Sequence, residues 1–370
     1  MSTRSPNKLV RSITERFDMR ADFMHAVPYG SGHINDTYRA EFDQAGARVR
    51  FTVQRVNPTV FKEPDKVMEN IGRVTSHALS SLIASGSHEP RRRTLTCVPT
   101  VDGGTFHKDE DGGLWRVYQF IERVHIYEVL ETNEQAYQVA RAFGEFQNLA
   151  ATLPGEPLHE TIPDFHHTPK RLAALEAAVE ADPHNRAASV SAEIDFARSR
   201  ADDCSRVTDL IETGHIPIRV THNDTKLSNV LLDEVTSEAV CVIDLDTTMP
   251  GSSLYDFGDM VRSATSASAE DDPDIGNAGI LLDRFEALVR GYLSAATFLN
   301  PAERRLLAFS GKLITLELGI RFLTDHLLGD QYFRIQRPGQ NLDRCRNQFG
   351  FVSVVEQNLP QMKEIVSRYC

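Results

Sequence analysis

The sequence predicts an α+β protein with two lobes, a β-rich lobe over residues 1–121 and a mainly helical lobe over residues 122–370. Two patterns predict this division. Before residue 121, apolar and polar residues alternate in short runs bounded by turn residues, which is typical of strands with one buried face. After it, apolar residues recur every three or four positions, which is typical of helices that bury one face. A length of 370 residues also suits two units of ordinary size.

Composition restricts the class of partner. Hydrophobic residues make up 41% of the chain and charged residues 25%, which suits a globular protein with a substantial core. The formal net charge of −12 argues against nucleic acid as the main partner. The chain has no apolar run as long as a membrane span, no apolar signal core near its N-terminus, and five scattered cysteines without a C-x-x-C pair. We therefore expect a cytoplasmic protein with no nucleic-acid or membrane partner, while its oligomeric state stays open.

Alternating apolar residues in the first lobe predict five strands, at residues 23–29, 38–42, 49–57, 95–101 and 114–121. Between the third and fourth strands a helix should begin at Pro64, because proline suits the first helical turn, and it should run to Leu82. A turn rich in Asp and Gly separates the last two strands. The hinge between the lobes is expected at residues 122–125.

Helical spacing in the second lobe predicts helices at residues 133–149, 169–181, 188–212 and 301–328. Between the last two of these, short apolar runs predict a strand-loop-strand-turn-strand unit that ends near residue 243. Residues 263–277, rich in Ser, Ala and Asp, are expected to be mobile and to form a flap.

The strand-loop unit carries the residues that point most directly to chemistry. Its loop has the pattern H-x-D-x-x-x-x-N in His222, Asp224 and Asn229, and the last strand of the unit leads to Asp244. This spacing matches the catalytic loop and metal aspartate of kinases. Phosphoryl transfer needs a carboxylate to accept a hydroxyl proton, and an amide and a carboxylate to hold Mg²⁺. An ordinary hairpin with polar turn residues is the alternative, but the order of both segments on strands favours a kinase-type site.

These roles can be assigned to single residues. We expect Asp224 to be the catalytic base, and Asn229 and Asp244 to be the Mg²⁺ ligands. Asp256 follows in the segment after the unit, and we expect it to bond the backbone of the catalytic loop rather than to accept a proton.

A glycine turn between the first two strands reads Gly30-Ser31-Gly32-His33-Ile34-Asn35-Asp36-Thr37. Glycines between antiparallel strands let the backbone lie close over a phosphate. An ordinary glycine-rich hairpin fits this turn equally well when it is considered alone. Ahead of a kinase-type loop, however, the turn is the natural cover for the phosphates of ATP. The candidate nucleotide contacts are Gly30, Ser31, Gly32, His33, Asn35 and Thr37.

The third strand departs from the kinase pattern, in which it carries a lysine for the nucleotide phosphates. Gln54 or Arg55 stands in place of this lysine, and strand alternation allows only one of them to face inward. Charge favours Arg55 and position favours Gln54, so both are candidate nucleotide contacts. Glu69, on the following helix, is either the acid that pairs with this cation or a solvated residue. Glu122 is a candidate for contact with adenine at the hinge, by analogy with kinases.

A charged and aromatic group ends the longest predicted helix. Arg321 and Asp325 are four residues apart at the edge of its apolar stripe, and Tyr332 follows the Gly329 that ends it. The alternative is an ordinary ion pair across one helical turn. Because hydrogen-bond donors, an acceptor and a flat ring together suit a sugar, we take Arg321, Asp325 and Tyr332 as candidate substrate contacts.

Together these segments resemble the aminoglycoside phosphotransferase-like superfamily, whose members share the protein-kinase fold. The resemblance covers most of the chain, from the glycine turn to Asn341-Leu342-Asp343-Arg344, and it includes residues 222–229, 244–247, 255–259 and 321–325. It implies a two-lobed protein-kinase-like fold, Asp224 as the base, and a Mg²⁺ site at Asn229 and Asp244. Sugar-contacting roles for Arg321 and Tyr332 are also implied.

The resemblance further implies a reaction. It points to transfer of a phosphoryl group from ATP, with Mg²⁺, to the anomeric hydroxyl of an N-acetylhexosamine, which Asp224 would orient. One alternative is a kinase of the same fold for another small alcohol, such as an aminoglycoside, choline, homoserine or a different sugar. The other is a non-catalytic nucleotide-binding regulator that lost turnover with the lysine.

Overall fold

The computed structural model describes residues 6–30 and 34–370, and it confirms the α+β class, with an antiparallel sheet in the N-terminal lobe and a helical C-terminal lobe. The strands are β1 (Asp22–Pro28), β2 (Asp36–Gln44), β3 (Ala47–Val56), β4 (His107–Lys108), β5 (Leu114–Gln119), β6 (Val124–His125), β7 (Arg219–Thr221), β8 (Val230–Asp233), β9 (Ala239–Val242) and β10 (Met249–Gly251). The α-helices are α1 (Pro6–Thr14), α2 (Pro64–Ala84), α3 (Asn133–Ala150), α4 (Thr168–Ala181), α5 (Ser191–Arg198), α6 (Ala201–Glu212), α7 (Ser253–Thr265), α8 (Leu282–Ala295), α9 (Pro301–Leu327) and α10 (Gln340–Tyr369). The lobe boundary between residues 121 and 122 stays a prediction.

Five of the described strands form one antiparallel sheet in the order β1-β2-β3-β5-β4. Their number matches the expectation for this lobe, but one predicted strand is wrong. Residues 95–101 make only isolated bridges, from Cys97 to Tyr118 and from Thr100 to Phe17. Pro99 has no N–H group and cannot extend a ladder there. The fifth strand is instead β4, inside the segment predicted to be a turn.

The two faces of this sheet have different neighbours, because side chains alternate along β3 and β5. Phe51 and Val53 of β3 join Trp115 of β5 in a core cluster with α1. On the opposite face, Val56 and Tyr118 join a core cluster that includes α2, α3 and helices of the C-terminal lobe. Residues of β3 and β5 on this second face therefore point toward the cleft between the lobes.

Helix α2 is fixed to the C-terminal lobe through Asn70, which is buried. Its Nδ2 donates to the carbonyl oxygens of His159 at 2.8 Å and of Thr248 at 3.1 Å, and its Oδ1 accepts the N–H of His159 at 2.9 Å. The neighbouring Glu69 is exposed, 2.9 Å from Nε2 of His159. Glu69 therefore pairs with this histidine and not with a cation of β3.

The predicted strand-loop-strand-turn-strand unit is present, divided between two small sheets. β8 and β9 are antiparallel neighbours, and β6 completes a sheet in the order β6-β8-β9. β7 pairs with β10. His222, just after β7, donates from Nε2 to the carbonyl oxygen of Ile243, just after β9, at 2.9 Å. This bond joins the loop after β7 to the segment after β9.

Helix α9 forms the centre of the C-terminal lobe. It begins with a capping box, in which the side chain of Asn300 and the carboxylate of Glu303 each accept the other residue's backbone N–H. The apolar stripe predicted for this helix is buried along its length, as expected. The helix packs against α4, α7 and α10.

One predicted helix of this lobe is wrong. Residues 188–212 do not form a single helix, since α5 and α6 are separated at Arg200, whose φ is −116°. The guanidinium carbon of Arg200 lies 3.5 Å from the ring centre of Phe196, and Nη2 lies 2.8 Å from Glu356 of α10. The chain therefore bends where this arginine reaches α10.

The segment after α7, predicted to be a mobile flap, is bonded to α10. Ser268 accepts a hydrogen bond from Asn347 at 3.0 Å, and Asp271 accepts one from Gln340 at 2.8 Å. Its movement stays a prediction. Among the described helices, none is long and apolar enough to cross a membrane.

Candidate active site

The loop after β7 is held by the buried carboxylate of Asp256, which confirms the structural role predicted for this residue. Its two oxygens accept the backbone N–H groups of His222 at 2.9 Å and of Asn223 at 2.7 Å. Asn223 has a φ of 63°, which few residues other than glycine adopt easily. Asp256 therefore fixes the backbone immediately before the predicted base.

Asp224 has one carboxylate oxygen held by two donors. Oδ2 lies 2.9 Å from Nζ of Lys226 and 3.1 Å from Nδ2 of Asn229. Burial would raise the pKa of this carboxyl, but Lys226, His222 and Asn229 together outweigh burial and hold the pKa below its ordinary value. Asp224 is therefore ionised at neutral pH, and Oδ1 is the oxygen suited to accept a proton. Lys226 was not predicted to be a site residue, although its position two residues after Asp224 was a signal.

Asp244 lies beside two other carboxylates. Burial and the charges of Asp246 and Asp224 raise the pKa of Asp244 to about 6. Asp224 is paired with Lys226 and Asp246 with Arg116, so Asp244 is the carboxylate of the three that a bound cation would favour in its charged form. Asn229 directs its Nδ2 to the carbonyl oxygen of Asp224 at 2.8 Å, so its Oδ1 is the atom that a cation can use.

These oxygen donors fit Mg²⁺, which binds one or two carboxylates together with phosphates and water. Within the described residues, 6–30 and 34–370, no group of three or more His, Cys, Asp and Glu residues is arranged to hold a metal by itself. Mg²⁺ does not need such a group, because nucleotide phosphates and water can complete its shell.

An arginine that sequence reasoning missed lies at the same place. Arg116 of β5 is 1% exposed, and its Nη1 and Nη2 donate to the two carboxylate oxygens of Asp246, the second at 3.0 Å. Its Nε donates to Oε1 of Gln54 at 3.0 Å. Despite burial, Asp246 holds the pKa of Arg116 above its ordinary value. The available signal was one arginine among the apolar residues of this strand.

Gln54 and Arg55 point to opposite faces of the sheet. Gln54 lies opposite Arg116 on the neighbouring strand and donates to Oγ1 of Thr37 at 3.0 Å, so it faces the cleft. The guanidinium carbon of Arg55 lies 5.9 Å from the ring centre of Trp115, on the face that packs against α1. The expectation that Arg55 supplies the cation to the phosphates is therefore wrong, because strand alternation turns it away from the cleft.

The glycine turn is bonded to the turn Leu245–Thr247 that follows β9. Asn35 donates from Nδ2 to Oδ2 of Asp246 at 2.5 Å, and its Oδ1 accepts the N–H of Asn57 at 3.0 Å. Gly30 has a φ of 87°, which glycine adopts without strain. The candidates Ser31, Gly32 and His33 lie outside the described residues.

Glu122 is engaged by protein groups at the predicted hinge. Its carboxylate lies 3.0 Å from Nε of Arg50. Its carbonyl oxygen accepts from Nη2 of Arg92 at 3.2 Å, and the same nitrogen lies 2.8 Å from Asp233 of β8. Arg92 thus fixes the hinge segment to the C-terminal lobe, and contact between Glu122 and adenine stays a prediction.

Arg321 is surrounded by aromatic rings. Its guanidinium carbon lies 5.5 Å from the ring centre of Phe165, 5.7 Å from that of Tyr332 and 5.5 Å from that of Phe333. Nη2 lies 3.4 Å from the hydroxyl of Tyr332, whose side chain is 69% exposed. We call these four residues the arginine–aromatic cluster, and Tyr332 opens it to solvent.

Asp325 supports this cluster and does not pair with Arg321. Its oxygens accept the backbone N–H groups of residues 331–333 and Nδ2 of Asn341, each at 2.8 or 2.9 Å. Because this buried carboxylate already accepts four hydrogen bonds, Asp325 supports the cluster instead of contacting substrate directly, which had been predicted. Asp325 holds the backbone that carries Tyr332.

Comparison with known proteins identifies the family. Residues 25–296 match the family described as "Phosphotransferase enzyme family". The chain belongs to this family.

Solved structures similar to this phosphotransferase share its fold over almost the whole chain. An aminoglycoside phosphotransferase from Alicyclobacillus acidocaldarius is 14% identical with a TM-score of 0.61, and the match covers 100% of this chain and 98% of that one. A spectinomycin phosphotransferase in complex with ADP and spectinomycin is 12% identical with a TM-score of 0.57, covering 96% and 100%. A choline kinase from Streptococcus pneumoniae is 13% identical with a TM-score of 0.52, covering 94% and 99%. The protein-kinase-like fold implied by the resemblance is therefore confirmed.

In this phosphotransferase, His166 joins the catalytic loop to the arginine–aromatic cluster. Its Nε2 lies 3.1 Å from the carbonyl oxygen of Asn223, and its Nδ1 lies 2.8 Å from the carboxylate of Glu317, one helical turn before Arg321. The adjacent Phe165 supplies one ring of the cluster. Sequence reasoning missed this connection, because His166 lies in an irregular segment without a motif.

Proposed function

We propose that this phosphotransferase is an N-acetylhexosamine 1-kinase. It would transfer the γ-phosphoryl group of ATP to the anomeric C1 hydroxyl of N-acetylglucosamine or N-acetylgalactosamine, giving the sugar 1-phosphate and ADP. The observation that carries the proposal is the short connection from Asn223, beside Asp224, through His166 to the open arginine–aromatic cluster. We expect a hydroxyl compound held at this cluster to lie near Asp224.

The residues of the catalytic loop would act together. Asp224 would orient the anomeric hydroxyl and accept its proton through Oδ1, while Lys226 keeps the carboxylate ionised. Asn229 and Asp244 would hold Mg²⁺, which when bound neutralises charge on the transferring phosphoryl group. The phosphates would lie beneath the turn Gly30–Thr37. The bound ADP of the similar spectinomycin phosphotransferase supports the use of a nucleotide.

The arginine–aromatic cluster suits a neutral sugar. Arg321 can donate to a ring hydroxyl or to the acetyl oxygen, and Tyr332 offers both a flat face and a hydroxyl group. Asp325 would contribute by fixing the backbone of Tyr332. Polar groups that a wrong ligand leaves unpaired are costly, and this cost gives such a pocket its selectivity.

Another small alcohol is the main alternative, and choline is an example because a similar solved structure is a choline kinase. Aromatic rings can bind a quaternary ammonium group. Here the rings already face the guanidinium group of Arg321, which would repel a second cation. This observation favours a neutral hydroxyl compound over choline. A non-catalytic nucleotide-binding regulator is the remaining alternative.

Release of ADP across a panel of acceptors tests the proposal. The panel contains the two N-acetylhexosamines, glucose, galactose, kanamycin, choline and homoserine, each with ATP and Mg²⁺. We expect release with the N-acetylhexosamines and a phosphate at C1 of the product by ³¹P NMR. Glucose and galactose are matched controls, because each differs only in carrying a C2 hydroxyl in place of the acetamido group. Release with an amino alcohol alone would identify a different kinase, and nucleotide binding without release would favour the regulator.

A further inference from the structure

At the place of the kinase lysine, the cleft-facing side of β3 carries Gln54, while Arg55 packs against Trp115. Arg50, on the same side of the strand, is paired with Glu122 at the hinge. We propose that Arg116 on β5 is a positioning residue for the metal site. It holds Asp246, and through Asp246 it keeps Asp244 in place to bind Mg²⁺ together with the nucleotide. The inference rests on the proposed ATP- and Mg²⁺-dependent function.

The contact between Arg116 and Asp246 is a buried fork-to-fork pair. Both terminal nitrogens of the guanidinium group donate to the carboxylate, and the two side chains are almost completely buried. A planar guanidinium group matches a carboxylate in this geometry, which a lysine cannot reproduce. Because its nitrogens are occupied by protein groups, Arg116 acts through Asp246 and not by touching the nucleotide.

Arg116 connects several elements around the cleft. Besides Asp246, it contacts Gln54 of β3 and lies 3.8 Å from Sδ of Met68 in α2. Asp246 also accepts a hydrogen bond at Oδ2 from Nδ2 of Asn35, in the glycine turn, at 2.5 Å. The carboxylate of Asp246 is thus hydrogen-bonded to both the glycine turn and β5.

Asp244, two residues before Asp246, depends on such support. Its φ of 61° lies in the left-handed region, and a residue other than glycine keeps this conformation only where its surroundings enforce it. The turn Leu245–Thr247 that follows contains Asp246. The pair with Arg116 therefore anchors the turn that orients the metal ligand.

The acid that completes the pair also differs from the kinase pattern. In protein kinases, the strand lysine pairs with a glutamate of the helix after it. Here Glu69 of α2 is bonded to His159, and the partner of Arg116 is Asp246 of the C-terminal lobe. The pair therefore joins the two lobes directly at the turn Leu245–Thr247.

Binding of the non-hydrolysable ATP analogue AMP-PNP tests the inference without any acceptor. Calorimetry would compare the parent with Arg116→Lys, which keeps the charge but loses the fork, in Mg²⁺ and in EDTA. We expect affinity in Mg²⁺ to fall about 10–100-fold, as is typical when the support of a metal ligand is removed. Affinity in EDTA should be nearly unchanged, which damage to the fold alone would not produce.

Two further variants keep the result interpretable. Arg116→Met/Asp246→Leu removes both buried charges, which proteins tolerate better than the loss of one partner, and it should fold and show the same Mg²⁺-dependent loss. Arg198→Met is the matched control, because it removes an arginine whose two nitrogens donate to an exposed carboxylate, that of Glu176. Arg55→Ala tests the rival cation and should bind as the parent does.

Three results would overturn the inference: unchanged Mg²⁺-dependent affinity in both Arg116 variants, an equal loss in EDTA, or a loss in Arg55→Ala alone. A parent protein that binds no nucleotide at all would overturn the proposed function and this inference with it. The two failures are therefore distinguishable.

Discussion

The imidazole of His166 bridges the carboxylate of Glu317, at 2.8 Å, and the carbonyl oxygen of Asn223, at 3.1 Å. Both neighbours are acceptors, so both ring nitrogens donate and the ring is positively charged. Burial opposes this charge, but Glu317 and the carbonyl oxygen of Asn223 together outweigh burial and raise the pKa of His166. The pKa of Glu317 is lowered, since His166 and its other partners outweigh burial there.

This pair should make stability depend on pH in both directions. The contribution of His166 is fully present below its unfolded pKa of 6.5 and is lost as pH rises through its raised folded pKa. That of Glu317 is present above 4.5 and is lost as pH falls through its lowered folded pKa. Glu317→Gln should lower the free energy of unfolding by about 3–5 kcal/mol at mildly acidic pH. The melting temperature of this variant should fall less toward alkaline pH than that of the parent.

Glu176→Gln is the control for this measurement. Glu176 also pairs with a cation, Arg198, at 2.7 Å, but both side chains are more than 40% exposed. A surface pair of this kind contributes little, so the pH profile should remain that of the parent. Equal pH profiles for the parent and Glu317→Gln would show that His166 is not charged.

Replacing Asp224 by Asn should remove the proton acceptor while keeping the shape of the side chain. We expect kcat to fall about 10²–10⁴-fold, with the affinity for ATP almost unchanged. Steady-state kinetics on the accepted sugar and nucleotide binding by calorimetry would measure both. Activity within a few-fold of the parent would remove Asp224 as the base.

Replacing Asp244 by Asn should weaken Mg²⁺ binding, because the proposed site loses its carboxylate ligand. Activity should fall at limiting Mg²⁺ and recover in part when Mg²⁺ is in excess. The measured quantity is the Mg²⁺ concentration that gives half-maximal activity. Equal nucleotide affinity of the parent with and without Mg²⁺ would argue against a metal role for this residue.

Replacing Arg321 by Ala should raise KM for the sugar much more than KM for ATP, since Arg321 lies in the open cluster with Tyr332. The melting temperature should change little, because no ion pair of Arg321 is present among the described contacts. Arg305→Ala, at an exposed position near the other end of the same helix, is the matched control. A lower melting temperature with normal sugar kinetics would assign Arg321 a structural role instead.

Local patterns in the sequence were sufficient for part of this molecule. The apolar stripe of α9 and the loop that places His222 beside Ile243 depend on short-range spacing, and both are present. The role of Asp256 was also predictable, because acids near such a loop commonly bond its backbone.

Other features depend on contacts between distant segments. Arg116 and Asp246 are 130 residues apart, and only the register of β3 on β5 brings Arg116 beside Gln54. The same register decides that Arg55 faces α1, which the charge argument could not reveal. The strand predicted around Pro99 was wrong because its apolar residues suggested a strand, while the proline lacks the N–H group that a ladder needs.

The anchoring of α2 by Asn70 determines how the catalytic centre can be controlled. Rotating this helix outward would leave the amide of Asn70 and the carbonyl oxygens of His159 and Thr248 without hydrogen-bond partners. The free-energy cost is about 1–3 kcal/mol for each buried group left unbonded. An on–off switch built on rotation of this helix would have to overcome that cost at every cycle. We therefore expect the resting chain to be assembled already, with its output set by the supply of its two substrates.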